Sequence, residues 1–95
     1  MYVHVVSFKI KEGEEHTFIE MQKFEEVVDA KPAGLDHFHI FKDRNDSSRF
    51  FLVEYWINKA SKDKLEESEE HQHFHQLRKL AIEQKYESYE CDVIV

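Results

Sequence analysis

Phe50-Phe51-Leu52-Val53-Glu54-Tyr55-Trp56 is the stretch of this chain that decides its fold. Large apolar residues alternate through it around one embedded acid, and it ends on the only Trp of the protein. A period of two is typical of a β-strand whose two faces meet different surroundings. The sequence therefore predicts a strand over residues 49–56, with the even-numbered residues on one face.

Outward from this strand, the hydrophobic period changes in a regular order. The predicted strands cover residues 2–10, 35–42, 49–56 and 86–95, and the first predicted helix covers residues 14–29. A second helix, with Asn58 or Ser61 as its N-cap, runs to about residue 67, and a helix restarts at the N-cap residue Ser68. The first strand is apolar on both faces, which favours a central position. The order βαββαβ predicts an α+β, ferredoxin-like domain with both helices on one face of a four-stranded antiparallel sheet.

Apolar residues at helical spacing predict which side of each helix faces the sheet. The predicted core stripes are Phe18, Met21, Phe24 and Val28 in the first helix and Phe74, Leu77 and Ala81 in the restarted one. His71 and His75 flank the second stripe on one side, and His73 lies on the other.

Length and composition predict a single domain over residues 1–95 that resides in the cytoplasm. Twenty acidic and 13 basic residues give a formal net charge of −7. This charge argues against nucleic acid and anionic membranes as partners, because both attract clustered Lys and Arg. The single Cys fits a reducing compartment. No apolar run reaches transmembrane length, and no signal peptide pattern precedes the first strand.

Eight Phe, four Tyr and one Trp are a large apolar supply for so short a chain, which indicates an interface or a ligand cavity. We expect this surplus on the sheet face away from the helices, formed by His4, Val6, Phe8, Phe50, Leu52, Glu54 and Trp56. A second copy packed face to face would cover it and could leave a cavity in each subunit. The sequence therefore predicts a homodimer.

Three residues stand out as candidates for chemistry, and each has a structural alternative. Trp56 can wall a substrate or fill a dimer core. Glu54 can act in catalysis or form a salt bridge to a Lys or Arg of the partner subunit, since a buried carboxylate needs a partner. His71 can lean into a pocket and take a phenolic proton near neutral pH, or it can be a solvated residue at a helix start.

Seven His residues raise the possibility of a metal site. His37 and His39 share a strand face, and His71 and His75 share a helix face. Nothing in the sequence brings the two pairs together, and no zinc motif is present. The sequence predicts no metal site.

Several motifs, spread over nearly the whole chain, resemble the antibiotic biosynthesis monooxygenase family of the dimeric α/β-barrel superfamily. They are Val5-Val6-Ser7-Phe8-Lys9-Ile10-Lys11-Glu12-Gly13, Pro32-Ala33-Gly34-Leu35, Phe51-Leu52-Val53-Glu54-Tyr55-Trp56, and Ser68-Glu69-Glu70-His71 with Phe74 behind it. The resemblance implies a homodimer whose sheets form a barrel, with a pocket between sheet and helices in each subunit. It also implies oxidation of phenols or quinols by O2 without metal or flavin.

The chain departs from this pattern in two places. The pocket Asn of well-defined oxygenases falls here on Val6 or Leu52, and the His of haem-degrading members falls on Glu66, so we expect poor haem binding. The opening of the first strand also resembles the stress-responsive barrels. Their cyclase members use a strand His and a helix His that match His4 and His71.

The leading hypothesis is a cofactor-independent monooxygenase acting on a small phenol or quinol. His71 would remove the proton, and His4 or Glu54 would orient it. The residues expected to hold the ring are Trp56, Phe8, Leu52, Phe74 and His75. The alternatives are a non-oxidative cyclase or isomerase that uses His4 and His71, and a ligand-binding module without turnover.

Overall fold

The computed structural model describes residues 1–24 and 33–95, with the side chains of residue 70 and residues 83–86 outside that description. The predicted end of the first helix and the turn at Pro32 thus lie outside the described residues. The elements are strands β1 (Tyr2–Ile10), β2 (Leu35–Lys42), β3 (Arg49–Trp56) and β4 (Ile82–Asp92), and helices α1 (Glu15–Lys23), α2 (Lys59–Glu66) and α3 (Glu69–Arg78).

The four strands form one antiparallel sheet in the order β2-β3-β1-β4, so β1 and β3 are central. The predicted ferredoxin-like α+β fold is confirmed. β2 and β3 have the predicted bounds, whereas β4 begins four residues earlier than expected, because Ile82 already pairs with Ile10 of β1. No helix in the described parts of the chain is long and apolar enough to cross a membrane.

Two side-chain caps divide the second helical region as the sequence predicts. The Asn58 side chain accepts a hydrogen bond from the Ser61 N–H at 2.9 Å and begins α2. The Ser68 hydroxyl accepts one from the His71 N–H at 3.2 Å and begins α3. Each cap satisfies a backbone donor that the first helical turn leaves unpaired. The start of α3, and with it the position of His71, is therefore fixed locally.

The helices cover the sheet face that we expected them to leave bare. The main core consists of Val6, Phe8, Ile10, Phe50 and Leu52 from the sheet, Phe18 from α1, and Ala81. The expectation that this face, with His4, Glu54 and Trp56, lies away from the helices is wrong. Alternation shows which residues of a strand share a face, but it does not show which face the helices will cover.

The opposite face of the sheet, which we call the open face, is covered by none of the described helices. It is formed by Val5, His37, His39, Phe41, Phe51, Val53, Tyr55 and Tyr89. The His37 ring stacks on Tyr55 with centroids 4.1 Å apart, and Phe41 and Tyr89 are each about half exposed. The many aromatic residues of the sequence therefore lie in two places, the core under the helices and this open face.

The buried stripe of α1 differs from the predicted one. Phe18 and Gln22 are fully buried and Ile19 packs against the core, whereas Phe24 is 54% exposed and Met21 is half-buried. Phe24 lies at the C-cap of the helix. The polar Gln22 takes a core position because its amide oxygen accepts a hydrogen bond from a buried arginine of α3.

The buried stripe of α3 also differs, and for the same reason. Phe74 and Ala81 are buried as predicted, but Leu77 is 46% exposed and Arg78 is only 4% exposed. The Arg78 guanidinium lies over the rings of Phe8 and Phe74, with its carbon 4.6 and 5.4 Å from their centroids. Aromatic rings and hydrogen bonds thus make a charged residue acceptable at an inward position.

The corrected core assignment can be tested with two leucines of opposite exposure. Leu52 is 3% exposed and Leu80 is 70% exposed. Leu52→Ala should lower the free energy of unfolding by about 2–5 kcal/mol, because it removes buried methyl groups and leaves a void. Leu80→Ala should change it by about 0.5 kcal/mol or less. Urea denaturation of both variants measures the difference, and equal losses would contradict the assignment.

Candidate active site

A cavity of about 510 Å³ lies between the helix-covered face of the sheet and helices α2 and α3. This volume is within the range of small-molecule sites. Six of the predicted site residues line it, namely His4, Leu52, Glu54, Trp56, His71 and His75. The other two, Phe8 and Phe74, do not line the cavity but lie under the guanidinium of Arg78.

The cavity has an apolar part and a charged part. Val6, Leu52 and Trp56 are the apolar residues that the sheet contributes, and α2 adds Leu65. The family resemblance places an Asn at Val6 or at Leu52. The charged residues from α2 are Lys59, Lys62, Asp63 and Glu66. Such a division suits a ligand with an aromatic ring and polar substituents.

His4, which is partly buried, and Glu54, which is buried, form a pair at the sheet side of the cavity. They are direct neighbours in the antiparallel register of β1 and β3, and their side chains are 12% and 7% exposed. His4 Nδ1 lies 3.4 Å from the Glu54 Oε1 atom, a long hydrogen bond that ligand binding can tighten. A carboxylate at Nδ1 favours the tautomer that leaves Nε2 as the proton acceptor. Its own chain thus provides Glu54 with an imidazole neighbour, and a salt bridge from Glu54 to a Lys or Arg of the partner subunit stays a prediction.

His71 lies inside the protein rather than in solvent. It is 9% exposed and lines the cavity, and its ring centroid is 4.3 Å from that of His75. The alternative of a solvated helix-start His is therefore wrong. The spacing of four residues on α3 brings the two rings to the same side, as the sequence predicts.

His75 is held in its neutral form. Burial is the largest cause, and the positive charge of Arg78 is the second; together they lower the pKa of His75 to about 4. His71 and Lys79 act in the same direction, whereas the carboxylate of Glu54 opposes them. At neutral pH this imidazole therefore carries no charge.

Arg78 is the main site residue that the sequence analysis missed. Its Nη1 donates to the Gln22 Oε1 atom at 3.1 Å, and its Nη2 lies 3.4 Å from His75 Nε2. The signal was present, because positions 71, 74, 75 and 78 form one helical stripe. Arg78 was not predicted because spacing identifies a buried stripe by its apolar residues, and among these four positions only Phe74 is apolar.

Trp56 belongs both to the cavity and to the core. It is fully buried, and it packs with Tyr2 and Leu35 in a second apolar cluster. Its indole N–H has no hydrogen-bond partner among the described residues. Trp56 thus lines the cavity and fills a core within its own chain, whereas a place in a dimer core stays a prediction.

No group of three or more His, Cys, Asp and Glu side chains within residues 1–24 and 33–95 is arranged to hold a metal ion. The two His pairs considered from the sequence also lie apart. His37 and His39 are on the open face, while His71 and His75 line the cavity on the other side of the sheet.

Comparison with known proteins identifies one family. The profile of the family described as antibiotic biosynthesis monooxygenase matches residues 1–77. The chain matches no curated protein.

Solved structures with the same fold include the following three. A provisionally assigned antibiotic biosynthesis monooxygenase from Nitrosomonas europaea is 17% identical, with a TM-score of 0.85 and 100% of both chains covered. An antibiotic biosynthesis monooxygenase is 18% identical, with a TM-score of 0.81 and the same 100% coverage of both chains. A protein from Shewanella oneidensis is 27% identical, with a TM-score of 0.75, and the match covers 95% of this chain and 89% of that one. At such identities the first two show the fold alone.

The neutral state of His75 predicts how stability depends on pH. The folded protein holds the pKa at about 4, below the ordinary 6.5, so the unfolded chain binds the proton first as the pH falls. The protein should therefore lose stability progressively from pH 6.5 to pH 4. His75→Asn should lose less stability over this pH range than the wild type does. His73→Asn, at an exposed site of the same helix, should lose as much as the wild type. Urea denaturation across this pH range measures the slopes, and identical slopes for wild type and His75→Asn would contradict the prediction.

Proposed function

Because the chain belongs to the antibiotic biosynthesis monooxygenase family, we propose that it oxidises a small aromatic phenol or quinol with O2 and without a cofactor. The observation that carries this proposal is the His4–Glu54 pair beside Trp56 in a cavity of about 510 Å³. A proton acceptor, its orienting carboxylate and a large aromatic wall are what such a reaction requires of a protein.

The proposed reaction begins with loss of the phenolic proton. The phenolate then passes electrons from its ring to O2, a carbon–oxygen bond forms, and the ring hydroperoxide loses water. In sum, one phenol and one O2 give one quinone and one water. The substrate is itself the reductant, so the protein needs only to bind the ring, accept the proton and orient the reacting oxygen.

We assign to His4 the role of accepting the phenolic proton. Glu54 lies at its Nδ1 and would stabilise the imidazolium that forms, as a carboxylate does in other His–carboxylate pairs. His71, the base favoured from the sequence, also lines the cavity, but the nearest ring to it is another imidazole. In this proposal His71 contacts the substrate, and Trp56 and Leu52 hold its ring.

Oxygen uptake with a panel of phenols and hydroquinones, corrected for autoxidation, tests the proposal. His4→Ala should lower turnover by about 10²–10⁴-fold, the usual contribution of a general base. Glu54→Gln should also lower it, because the amide carries no charge to stabilise the imidazolium. The control is His73→Ala, at an exposed position of α3. If a folded His4→Ala protein is fully active and His71→Ala is not, the base is His71.

We also propose that the protein is a homodimer in the cytoplasm that pairs through the open face. The aromatic rings of this face and its half-buried Val53 and Tyr55 support pairing, since contiguous apolar surface favours association. The exposed thiol of Cys91 is compatible with a reducing compartment.

Sedimentation tests the interface. Val53→Glu places a charge at the centre of the open face and should shift the protein from dimer to monomer at micromolar concentration. Thr17→Glu, on the exposed side of α1, should leave the dimer intact. Phe50→Glu and Leu52→Glu, on the face that the sequence alone assigned to the dimer interface, should unfold the chain instead because both residues lie in the core. A monomeric wild-type protein would contradict the proposed dimer.

A second candidate function is a non-oxidative cyclase or isomerase. It is favoured by the fact that His4 and His71 line the same cavity, one on β1 and one on α3. Such an enzyme would change its substrate without consuming O2. Product formation in the absence of oxygen would therefore support it, and a bound ligand without any product would indicate a binding module.

A further inference from the structure

We propose that His75 binds an oxygen atom of the substrate as a neutral hydrogen-bond donor, and that Arg78 positions it for this role. The inference rests on the proposed function for the identity of the substrate. The state of the His75 ring does not depend on that function and can be measured in the protein alone.

The contact between the two residues determines which nitrogen of His75 carries the proton. A guanidinium has only donors, so Arg78 Nη2 can approach His75 Nε2 at 3.4 Å as a hydrogen bond only if that nitrogen offers its lone pair. A neutral imidazole has one N–H and one lone pair. The proton of His75 must therefore lie on Nδ1.

Arg78 is held firmly enough to impose this tautomer. The residue is 4% exposed, and its guanidinium donates to Gln22 of α1 and lies over the rings of Phe8 and Phe74. Turning the guanidinium away from His75 would break these contacts. The groups whose charges act on His75 are Arg78, His71, Lys79 and Glu54, and the burial of the ring adds to the effect of the three bases.

The Nδ1–H of His75 is available to a ligand. His75 is half-buried and lines the cavity, and no described residue accepts a hydrogen bond from Nδ1. An imidazole with a pKa of about 4, whose lone pair faces a guanidinium, is a poor base for a phenol. Its N–H can nevertheless donate to an oxygen on which negative charge develops. The two imidazoles therefore have different roles in the cavity. His4 accepts the proton of the substrate, and His75 donates a hydrogen bond to an acceptor oxygen.

These two roles restrict which aromatic compounds can be the substrate. Besides the hydroxyl that meets His4, the aromatic substrate should carry a second oxygen, such as a carbonyl, that accepts a hydrogen bond from His75. When the ring passes electrons to O2, the charge on that oxygen changes. A fixed neutral donor stabilises it without competing for the proton.

Nitrogen-labelled protein allows a direct test by long-range proton–nitrogen NMR of the imidazoles. His75 should show the Nδ1–H tautomer alone and should stay neutral as the pH falls from 6.5 until it approaches 4. His73, exposed on the same helix, is the reference in the same spectrum. In Arg78→Lys the charge remains but the guanidinium fork is lost, so His75 should show both tautomers. A wild-type His75 with the proton on Nε2, or with a mixture, overturns the proposal.

Binding and turnover test the donor role separately. Addition of naphthoquinone, as a carbonyl probe, should shift the His75 Nδ1 resonance; no shift up to the solubility limit overturns the donor role. His75→Leu should lower kcat by about 10²–10³-fold, as loss of a donor to developing charge does. His75→Asn, whose amide places an N–H near the former Nδ1, should recover most of it. Equal activity in both variants also overturns the donor role.

The two proposals fail in different ways. If His75 has the expected tautomer and its resonance shifts with the quinone while no phenol is oxidised, the monooxygenase proposal fails and the donor assignment is supported. If phenols are oxidised but His75 shows a mixed tautomer, the donor assignment fails and the monooxygenase proposal is untouched.

Discussion

Four cross-strand pairs between β1 and β3 follow one another along the helix-covered face of the sheet: Phe8 with Phe50, Val6 with Leu52, His4 with Glu54, and Tyr2 with Trp56. The first two belong to the main core and the third lies in the cavity, so one register sets the packing and the chemistry together. A shift of one residue would turn every one of these side chains to the other face. The apolar pairs therefore stabilise the register that brings an imidazole and a carboxylate together away from water.

The helix side of the cavity, opposite this sheet face, depends on the buried charge of Arg78. Arg78 connects α3 to Gln22 of α1 and rests on Phe8 and Phe74, which are themselves core residues. Its desolvation is offset by hydrogen bonds and aromatic contacts, and removal of such partners is costly because a buried charge would remain unpaired. Residues at core positions thus hold a guanidinium beside His75. A protein selected for stability alone would have little use for such an arrangement.

The sequence predicted the order of elements, the bounds of β2 and β3 and the helix restart at Ser68, because alternation, helical spacing and capping residues are local signals. It did not predict which sheet face the helices cover. Both faces of β1 and β3 are apolar, and the choice between them depends on how the whole chain packs. The pairing of Glu54 with His4 and the burial of Arg78 were missed for the same reason, since each joins residues far apart in the sequence.

If the His4–Glu54 pair is the acid–base centre of a site for an aromatic ring, a crystal structure of the protein with a bound hydroxylated quinone will show it. We expect the ring to lie against Trp56 and one of its oxygens to lie about 2.6–3.2 Å from His4 Nε2, with Glu54 still at Nδ1. A ligand bound outside this cavity, or one in it whose oxygens all lie beyond the reach of His4, would show that the pair is not that centre.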